Sequence, residues 1–203
     1  MTGFDISTGQ LRAARSRLTG AVRLVLGDIV HLPFRDAAFD VALCFGGALS
    51  YVGDQRHKAA AELVRVTRPG GSILISVMSR YGAIALVGRE PTLDVLHDPE
   101  GQHLWSVFQT GNLPPVPSSV EGQPHPAMHL YTSDELRVLL PDCDVVEVAA
   151  SNVAVYERGG HLASLPDDEA AWKSTLEIER RLSQAPGLVD GGSHILLAAR
   201  RRH

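Results

Sequence analysis

Residues 27–51 restrict the fold more than any other stretch. They contain a polar turn that follows one short apolar run, a second apolar run, and a Gly-Gly loop after it. The first run, residues 22–26, ends just before Asp28, and the second, residues 40–45, ends just before Gly46. Short, mostly apolar runs of this kind are typical of strands buried on both faces of a parallel sheet. The stretch therefore predicts two such strands, each followed by a polar or glycine-rich loop.

Helical patterns alternate with these strands. Ser7 and Gln10 have the spacing of a capping box and open a predicted helix that ends near Gly20. A second helical pattern covers residues 54–68, and a Pro-Gly-Gly sequence stops it before a third apolar run at 72–77. Alternating strands and helices predict an α/β fold built on a parallel sheet.

Residues 80–131 form an irregular insertion in this pattern. They contain seven of the 12 prolines, and only one short helix is predicted there, at 81–88. A long irregular segment in a compact domain is usually a functional lid or a disordered stretch. Beyond it the pattern predicts a capping box at Thr132 and Glu135, a strand at 145–150, a helix at 167–183 and a strand at 193–199. We expect one domain spanning residues 1–203, with the insertion at about 80–131.

Composition excludes several classes of function. The net charge is only -4, and like charges do not cluster before the terminal Arg200-Arg201-Arg202, which argues against a nucleic-acid partner. No apolar run approaches the roughly 20 residues that span a bilayer, so no membrane partner is expected. The two cysteines, Cys44 in a predicted strand and Cys143 in a predicted turn, are too few for a disulfide framework. A reduced, cytoplasmic setting is expected.

The candidate binding residues follow the predicted strands. Ligands of open parallel sheets bind beyond the carboxyl ends of the strands. Residues at such positions are Asp5, Asp28, Ile29, Cys44, Phe45 and Gly46. A carboxylate there can accept hydrogen bonds from ribose hydroxyls, and glycine lets a backbone approach a ligand closely. Each residue also has an ordinary alternative, since an aspartate can cap a helix or a turn and a Gly-Gly pair can mark a simple turn.

The joint pattern resembles the class I S-adenosylmethionine-dependent methyltransferases. The resemblance rests on Gly27-Asp28, Leu32-Pro33-Phe34, Asp36 with Phe39-Asp40-Val41, and Glu62-Leu63-Val64-Arg65-Val66-Thr67-Arg68-Pro69-Gly70-Gly71. It covers residues 3–78 well and the later elements more loosely. It implies a Rossmann-like sheet, mostly parallel with an antiparallel C-terminal strand pair. It also implies S-adenosyl-L-methionine as cofactor and methyl transfer to a small-molecule acceptor.

The same resemblance implies individual roles for the residues at the strand ends. Asp5 would hold the ribose and Ile6 would lie against the adenine. Asp28 would bind the adenine amine, and Ile29 would contact the adenine ring. Residues 44–46 would flank the methionine portion of the cofactor.

One part of the family pattern is missing from the sequence. The family begins with a strand that runs into a Gly-x-Gly-x-Gly loop, and residues 1–203 contain no such loop. Without that strand, its two neighbours would lie about 9–10 Å apart, with no backbone partner between them. We favour an N-terminally truncated sequence as the explanation. A partner chain, as in a homodimer, or another segment in the gap is a second explanation, and a degenerate, non-catalytic interaction module is a third.

The acceptor side is less specific. A hydroxyl or acidic carbon acceptor needs a base, for which Tyr51, His129 and Tyr131 are the candidates, with His125 nearby. The alternatives are that the histidines are merely solvated and that Tyr51 belongs to the core. No metal site is expected, because the insertion lacks a helical frame that would aim its histidines. A nicotinamide-dependent dehydrogenase, the main rival enzyme, would require a Gly-x-Gly-x-x-Gly loop.

Overall fold

The computed structural model describes residues 1–87, 102–115, 126–140, 142–154 and 168–203. The strands are β1 (Thr2–Asp5), β2 (Arg23–Leu26), β3 (Phe39–Cys44), β4 (Thr67–Met78), β5 (Asn112–Leu113), β6 (Met128–His129), β7 (Cys143–Ser151) and β8 (His194–Arg201). The α-helices are α1 (Thr8–Arg17), α2 (Arg56–Val66), α3 (Arg80–Val87), α4 (Gln102–Thr110), α5 (Ser133–Val138) and α6 (Glu169–Leu182). Short 3₁₀ turns at Ala48–Ser50 and Gly53–Gln55 connect β3 to α2.

The described strands form two main sheets. β1 and β2 pair in parallel, and a second sheet has the order β3-β4-β8-β7. In that sheet β3 and β4 are parallel, whereas β8 is antiparallel to both β4 and β7. A short antiparallel ladder joins β5 to β6. The predicted α/β architecture with an antiparallel C-terminal strand pair is confirmed.

The parallel part of the architecture is interrupted between β1 and β3. Within the described residues, each of these strands pairs with a single other strand, so each has one edge without a strand partner. Aromatic side chains connect the two sheets instead. Phe34 packs edge-to-face on Phe4, with ring centroids 5.9 Å apart, and on Phe39, at 5.1 Å. The break therefore falls between β1 and β3, the two strands that the resemblance would separate by one further strand.

The main core lies on one face of the four-stranded sheet. The inward-facing residues of β4 and β8 are buried in one cluster with residues of α2 and α5. From the strands the cluster includes Ile73, Ile75, Val77, Ile195 and Leu197, and from the helices it includes Leu63 and Leu136. The opposite face is open: Leu43 on β3 is 61% exposed and Leu196 on β8 is 36% exposed. The prediction that residues 40–45 are buried on both faces is therefore wrong. The same prediction fails for residues 22–26. In β2, Arg23 and Leu26 are exposed and the two residues between them are only half-buried.

Three other expectations need correction. β4 begins at Thr67 rather than at residue 72, because the Pro-Gly-Gly segment forms a bulge that pairs Phe39 with Thr67 and Val41 with Ser72. Cys143 is a buried residue of β7 and not part of a turn. The insertion contains a second helix, α4, which the scattered prolines concealed.

Several expectations about helices are confirmed. The side chain of Thr132 caps α5 and Glu135 returns a bond to the Thr132 backbone, which completes the predicted capping box. The predicted helices at 81–88 and 167–183 are α3 and α6. His125 and much of the insertion lie outside the described residues. In the described ranges, no helix has both the length and the apolar character needed to cross a bilayer.

Candidate active site

The carboxyl ends of β1 and β2 lie side by side. Asp5 pairs in register with Leu26, and the Gly27 amide donates to the Asp5 carbonyl at 3.0 Å. One carboxylate oxygen of Asp5 accepts from the Ser7 amide at 2.7 Å, so the capping alternative for Asp5 is observed. A carboxylate has a second oxygen that can accept further bonds. Asp5 can therefore cap the entry to α1 and still contact a ligand hydroxyl.

Asp28 occupies the first position of a tight turn after β2. Its carboxylate accepts from the Val30 amide at 3.1 Å, and its carbonyl accepts from the His31 amide at 2.9 Å. The Asp28 side chain is exposed, whereas Ile29 is half-buried against the main core. Ile6, which follows Asp5, is 71% exposed. These strand ends thus place two carboxylates next to exposed apolar side chains, an arrangement suited to an adenosine group.

The last residue of β3, Cys44, and the two residues that follow it differ in exposure. The Cys44 thiol is buried in the main core, and burial raises its pKa to about 11. Any contact between Cys44 and a ligand therefore involves its main chain. Phe45 is 53% exposed, and the Gly46 backbone has a φ of 73°. A side chain at Gly46 would meet no described atom within 4 Å, so space beside this backbone is open to a ligand.

Two of the three acceptor-side candidates are buried together. The rings of His129 and Tyr131 pack edge-to-face at 4.6 Å. The Tyr131 hydroxyl donates to the Leu49 carbonyl at 3.1 Å, and burial raises the pKa of this phenol. Tyr131 is only 1% exposed, so its side chain supports the loop after β3 and does not reach the surface.

His129 is held in a neutral form. It is 3% exposed, and burial, together with the nearby positive charge of Arg56, lowers its pKa to about 4. Its Nδ1 atom lies 2.7 Å from the Asn112 side-chain oxygen, and its Nε2 atom lies 3.8 Å from the Glu135 carboxylate. A neutral imidazole can act as a base, but this one is shielded from solvent.

Tyr51 is the exposed member of the three. Its side chain is beside Gly47, where an added Cβ would lie 3.7 Å from the tyrosine ring and 3.6 Å from Met78. The ring is therefore at the carboxyl ends of β3 and β4, and 44% of the residue is accessible. Among the acceptor-side candidates, Tyr51 is the one whose position allows direct contact with a small molecule.

Sequence reasoning missed two polar networks near these strand ends. The first network lies just beyond the end of β4, where buried Arg80 donates to the Glu135 carboxylate at 2.5 Å and to the Leu130 carbonyl. Arg65 and Glu62 bind the loop that follows Asp28. The i, i+3 spacing of Glu62 and Arg65, off the apolar stripe of α2, was the available sequence signal.

Among the described residues, no three His, Cys, Asp or Glu side chains gather into a group able to hold a metal ion.

Comparison with known sequences finds matches to part of the chain. Residues 1–75 match the model of the family described as a methyltransferase domain. The chain is 42% identical over 79 residues to the malonyl-[acyl-carrier protein] O-methyltransferase of Serratia marcescens, covering 39% of this chain and 30% of that relative. It is 24% identical over 185 residues to the demethylmenaquinone methyltransferase of Paenarthrobacter aurescens, covering 88% of this chain and 66% of the relative. The chain thus spans between 30% and 66% of the length of these relatives.

Solved structures share the fold of the whole chain. A SAM-dependent methyltransferase from Methanosarcina mazei matches with a TM-score of 0.62 at 17% identity, covering 99% of this chain and 81% of that one. An S-adenosylmethionine-dependent methyltransferase from Mesorhizobium loti matches with a TM-score of 0.55 at 19% identity, covering 98% and 79%. S-adenosylmethionine is the cofactor that both descriptions name. In its sequence over residues 1–75 and in its fold, the chain is similar to the class I S-adenosylmethionine-dependent methyltransferases.

Proposed function

We propose that the chain binds S-adenosylmethionine beyond the carboxyl ends of β1, β2 and β3 and transfers a methyl group to a small-molecule acceptor. The observation that carries this proposal is the pairing of the Asp5 and Asp28 strand ends beside exposed Ile6. A fold requires neither two carboxylates nor an exposed isoleucine at adjacent strand ends, whereas a nucleoside needs both polar and apolar contacts.

Each residue has a defined part in this proposal. The second carboxylate oxygen of Asp5 accepts from the ribose hydroxyls, and Asp28 accepts from the adenine amine. Ile6 and Ile29 provide apolar contacts to the adenine ring. The open backbone at Gly46 and the neighbouring main chain of Cys44 and Phe45 flank the methionine portion. These assignments agree with the exposure of Asp28, Ile6 and Gly46.

The chain itself mainly aligns the reactants. When bound, S-adenosylmethionine supplies a methyl group activated by its sulfonium, so the protein has to hold donor and acceptor in line. Tyr51 can contact an acceptor directly because it is exposed at the ends of β3 and β4. His129 and Tyr131 are buried, so their part in this proposal is to support the acceptor side from behind.

The acceptor is proposed to be a small, partly apolar molecule. α3 starts directly after β4, and its Tyr81 forms an exposed aromatic cluster with Trp105 and Phe108 of α4. The Trp105 and Phe108 rings are stacked with centroids 5.5 Å apart, and Tyr81 lies 6.5 Å from Phe108. Such a surface favours an aromatic or apolar acceptor over a polar one. The insertion at about 80–131 would then cover the acceptor, as the sequence predicts.

Calorimetric titration with S-adenosylhomocysteine tests the cofactor half of this proposal. We expect micromolar binding, about -8 kcal/mol, by the 203-residue chain. Asp28→Ala should abolish it. Asp144→Ala is the matched control, because this exposed carboxylate pairs with Arg202 and lies on β7, the strand at the edge of the four-stranded sheet opposite β3. Absence of binding by the folded wild-type chain would contradict the proposal.

Assays of methyl transfer test the acceptor half. Demethylmenaquinone and malonyl-[acyl-carrier protein] are the first acceptors to compare, because relatives are named for them. Transfer to demethylmenaquinone that is weakened by Trp105→Ala would support a small apolar acceptor. Transfer to the carrier-protein substrate alone would replace the small-molecule acceptor with a protein-bound one.

A non-catalytic interaction module is the second candidate function. The exposed apolar face at Val41 and Leu43 favours it, because contiguous apolar surface often marks an interaction site. Sedimentation of the folded chain separates the candidates: self-association removed by Leu43→Ser, together with no binding of S-adenosylhomocysteine, would favour the module.

A further inference from the structure

Arg65 of α2 connects this helix to the loop between β2 and β3. Its guanidinium donates to both carboxylate oxygens of Glu62, at 2.6 and 2.8 Å. It also donates to the Leu32 carbonyl at 2.9 Å, the Phe34 carbonyl at 2.7 Å and the Asp36 carboxylate at 2.8 Å. One planar side chain therefore binds three positions of a loop that is about 30 residues away in sequence.

Glu62 completes the contact from the other side of Leu32. Its carboxylate accepts from the Leu32 amide at 2.7 Å while it accepts from Arg65. Both main-chain polar groups of Leu32 are thus bound by the same ion pair. The side chains of Arg65 and Glu62 are only 31% and 19% exposed, so this pair is more sheltered than an ordinary surface salt bridge. The bonds from Arg65 also lower the pKa of Glu62, which keeps the carboxylate charged.

The bound part of the loop is directly connected to the candidate adenine contacts. Asp28 and Ile29 are four and three residues before Leu32, and the intervening turn is closed by the bonds that Asp28 accepts from the amides of Val30 and His31. Val30 and Leu32 are both buried in the main core. A shift of Leu32 would therefore move the whole turn and displace Asp28 from the end of β2.

We infer that Arg65, together with Glu62, is a positioning residue for adenine recognition: it fixes the loop that holds Asp28 and Ile29 at the end of β2. This inference rests on the proposed function, because it takes Asp28 and Ile29 as the adenine contacts. A planar guanidinium suits this task, since its fixed fork of N–H donors binds several acceptors at once, whereas a lysine ammonium cannot reproduce that geometry.

The first test needs no ligand. Arg65→Lys keeps the charge but removes the fork, and Arg68→Lys is the matched control because Arg68 pairs with Asp40 on the surface at 2.6 Å. Amide hydrogen exchange of Leu32 and Val30 should be at least about tenfold faster in Arg65→Lys, while exchange of β4 amides stays unchanged. Unchanged exchange at Leu32 would overturn the inference. So would an equal acceleration in β4, which would mean that Arg65 only stabilises the fold.

The second test measures cofactor affinity. Arg65→Lys should weaken S-adenosylhomocysteine binding by roughly 10- to 100-fold, and Arg68→Lys should leave it unchanged. Because Arg65 acts through the loop that holds Asp28, the loss caused by Arg65→Lys should be smaller when it is added to Asp28→Asn, a milder replacement that keeps measurable binding. Additive losses would overturn the positioning role. If the wild-type chain binds no S-adenosylhomocysteine, the proposed function and the adenine role fail together. Hydrogen exchange would still report whether Arg65 holds the loop.

Discussion

The four-stranded sheet and the β1–α1–β2 unit are built from similar sequence patterns, yet they are packed very differently. In the sheet, Ile73 and Ile75 of β4 are fully buried, and α2 contributes five buried residues to the same core. In the unit, none of the ten residues of α1, all of them described, is buried, and every residue of β1 is half-buried. A groove of about 280 Å³ lies between α1 and β1.

This difference separates stability from ligand recognition in the molecule. Buried apolar area is the main source of folding free energy, so the sheet that contains β4 should carry most of it. The β1–α1–β2 unit instead presents Asp5, Ile6 and Asp28 at its exposed strand ends. Binding residues are often found in the less stable parts of a protein, because they have to remain accessible.

Truncation of a core residue should show the contrast most strongly. Ile75→Ala should lower the free energy of unfolding by about 2–5 kcal/mol, because it leaves a cavity in a fully buried position. Leu26→Ala, at a strand end that is 54% exposed, should cost less than about 1 kcal/mol. Urea unfolding of both variants measures the two values. Equal losses would mean that the β1–α1–β2 unit is as tightly packed as the sheet.

Acid should weaken the region around His129. The folded-state pKa of His129 is about 4, below its ordinary value of 6.5, so between these values the unfolded chain binds a proton that the folded chain does not. The contribution of His129 is complete above pH 6.5 and is lost as the pH falls towards 4, by about 3 kcal/mol at most. Unfolding measured from pH 7 to 4 checks this.

The matched variants separate His129 from the other titrating groups. His129→Gln should flatten the slope of stability against pH between 6.5 and 4. His57→Gln, at an exposed position of α2, is the control for the replacement of a histidine by glutamine. A slope that is the same in all three proteins would show that His129 is not held neutral by the fold.

Arg201 should have a smaller effect on the sheet region. Its guanidinium donates to the carbonyls of Val64 and Arg65, at the end of α2, and of Thr67, the first residue of β4. Arg201→Met keeps much of the apolar stem but removes these bonds, so a loss of about 1–3 kcal/mol is expected. Arg202→Met, which breaks the surface pair with Asp144, should change stability by less than about 1 kcal/mol. Thermal unfolding compares the two, and similar losses would exclude a special role for Arg201.

Local patterns in the sequence were sufficient for the helix caps and for most of the elements, although not for α4 or for the β5–β6 ladder. The Ser7 and Thr132 caps and the parallel β1–β2 and β3–β4 pairs depend on neighbouring residues and on strand alternation, both of which are readable from sequence. Burial was harder to predict. Residues 40–45 are apolar enough for a strand that is buried on both faces. Whether both faces are buried depends on which other elements pack against them, and the sequence of the strand alone does not show this.

The acceptor side shows why individual site residues were less predictable. His129 and Tyr131 were selected as residue types able to remove a proton, and their type is independent of their burial. The network of Arg80, Glu135 and Asn112 around them joins residues up to 55 positions apart, so no local pattern indicates it. Arg65 is an intermediate case, since its spacing to Glu62 is visible but its bonds to the loop are not.

The N-terminal caps of α5 and α1 allow the smallest predicted difference between the two regions to be measured. Both caps are hydroxyl side chains that accept from a backbone amide, but α5 is packed against the core and α1 is not. Thr132 accepts from the Glu135 amide at 3.2 Å and starts α5, whose Leu136 is fully buried, while Ser7 accepts from the Gln10 amide at 3.3 Å and starts α1. Thr132→Ala should cost about 1 kcal/mol and Ser7→Ala no more than about 0.5 kcal/mol, as judged by urea unfolding. The reason is that loss of a cap frays a helix, and fraying of α1 uncovers no buried side chain, whereas fraying of α5 exposes Leu136. A larger loss for Ser7→Ala would mean that α1 is more firmly packed than its exposure indicates.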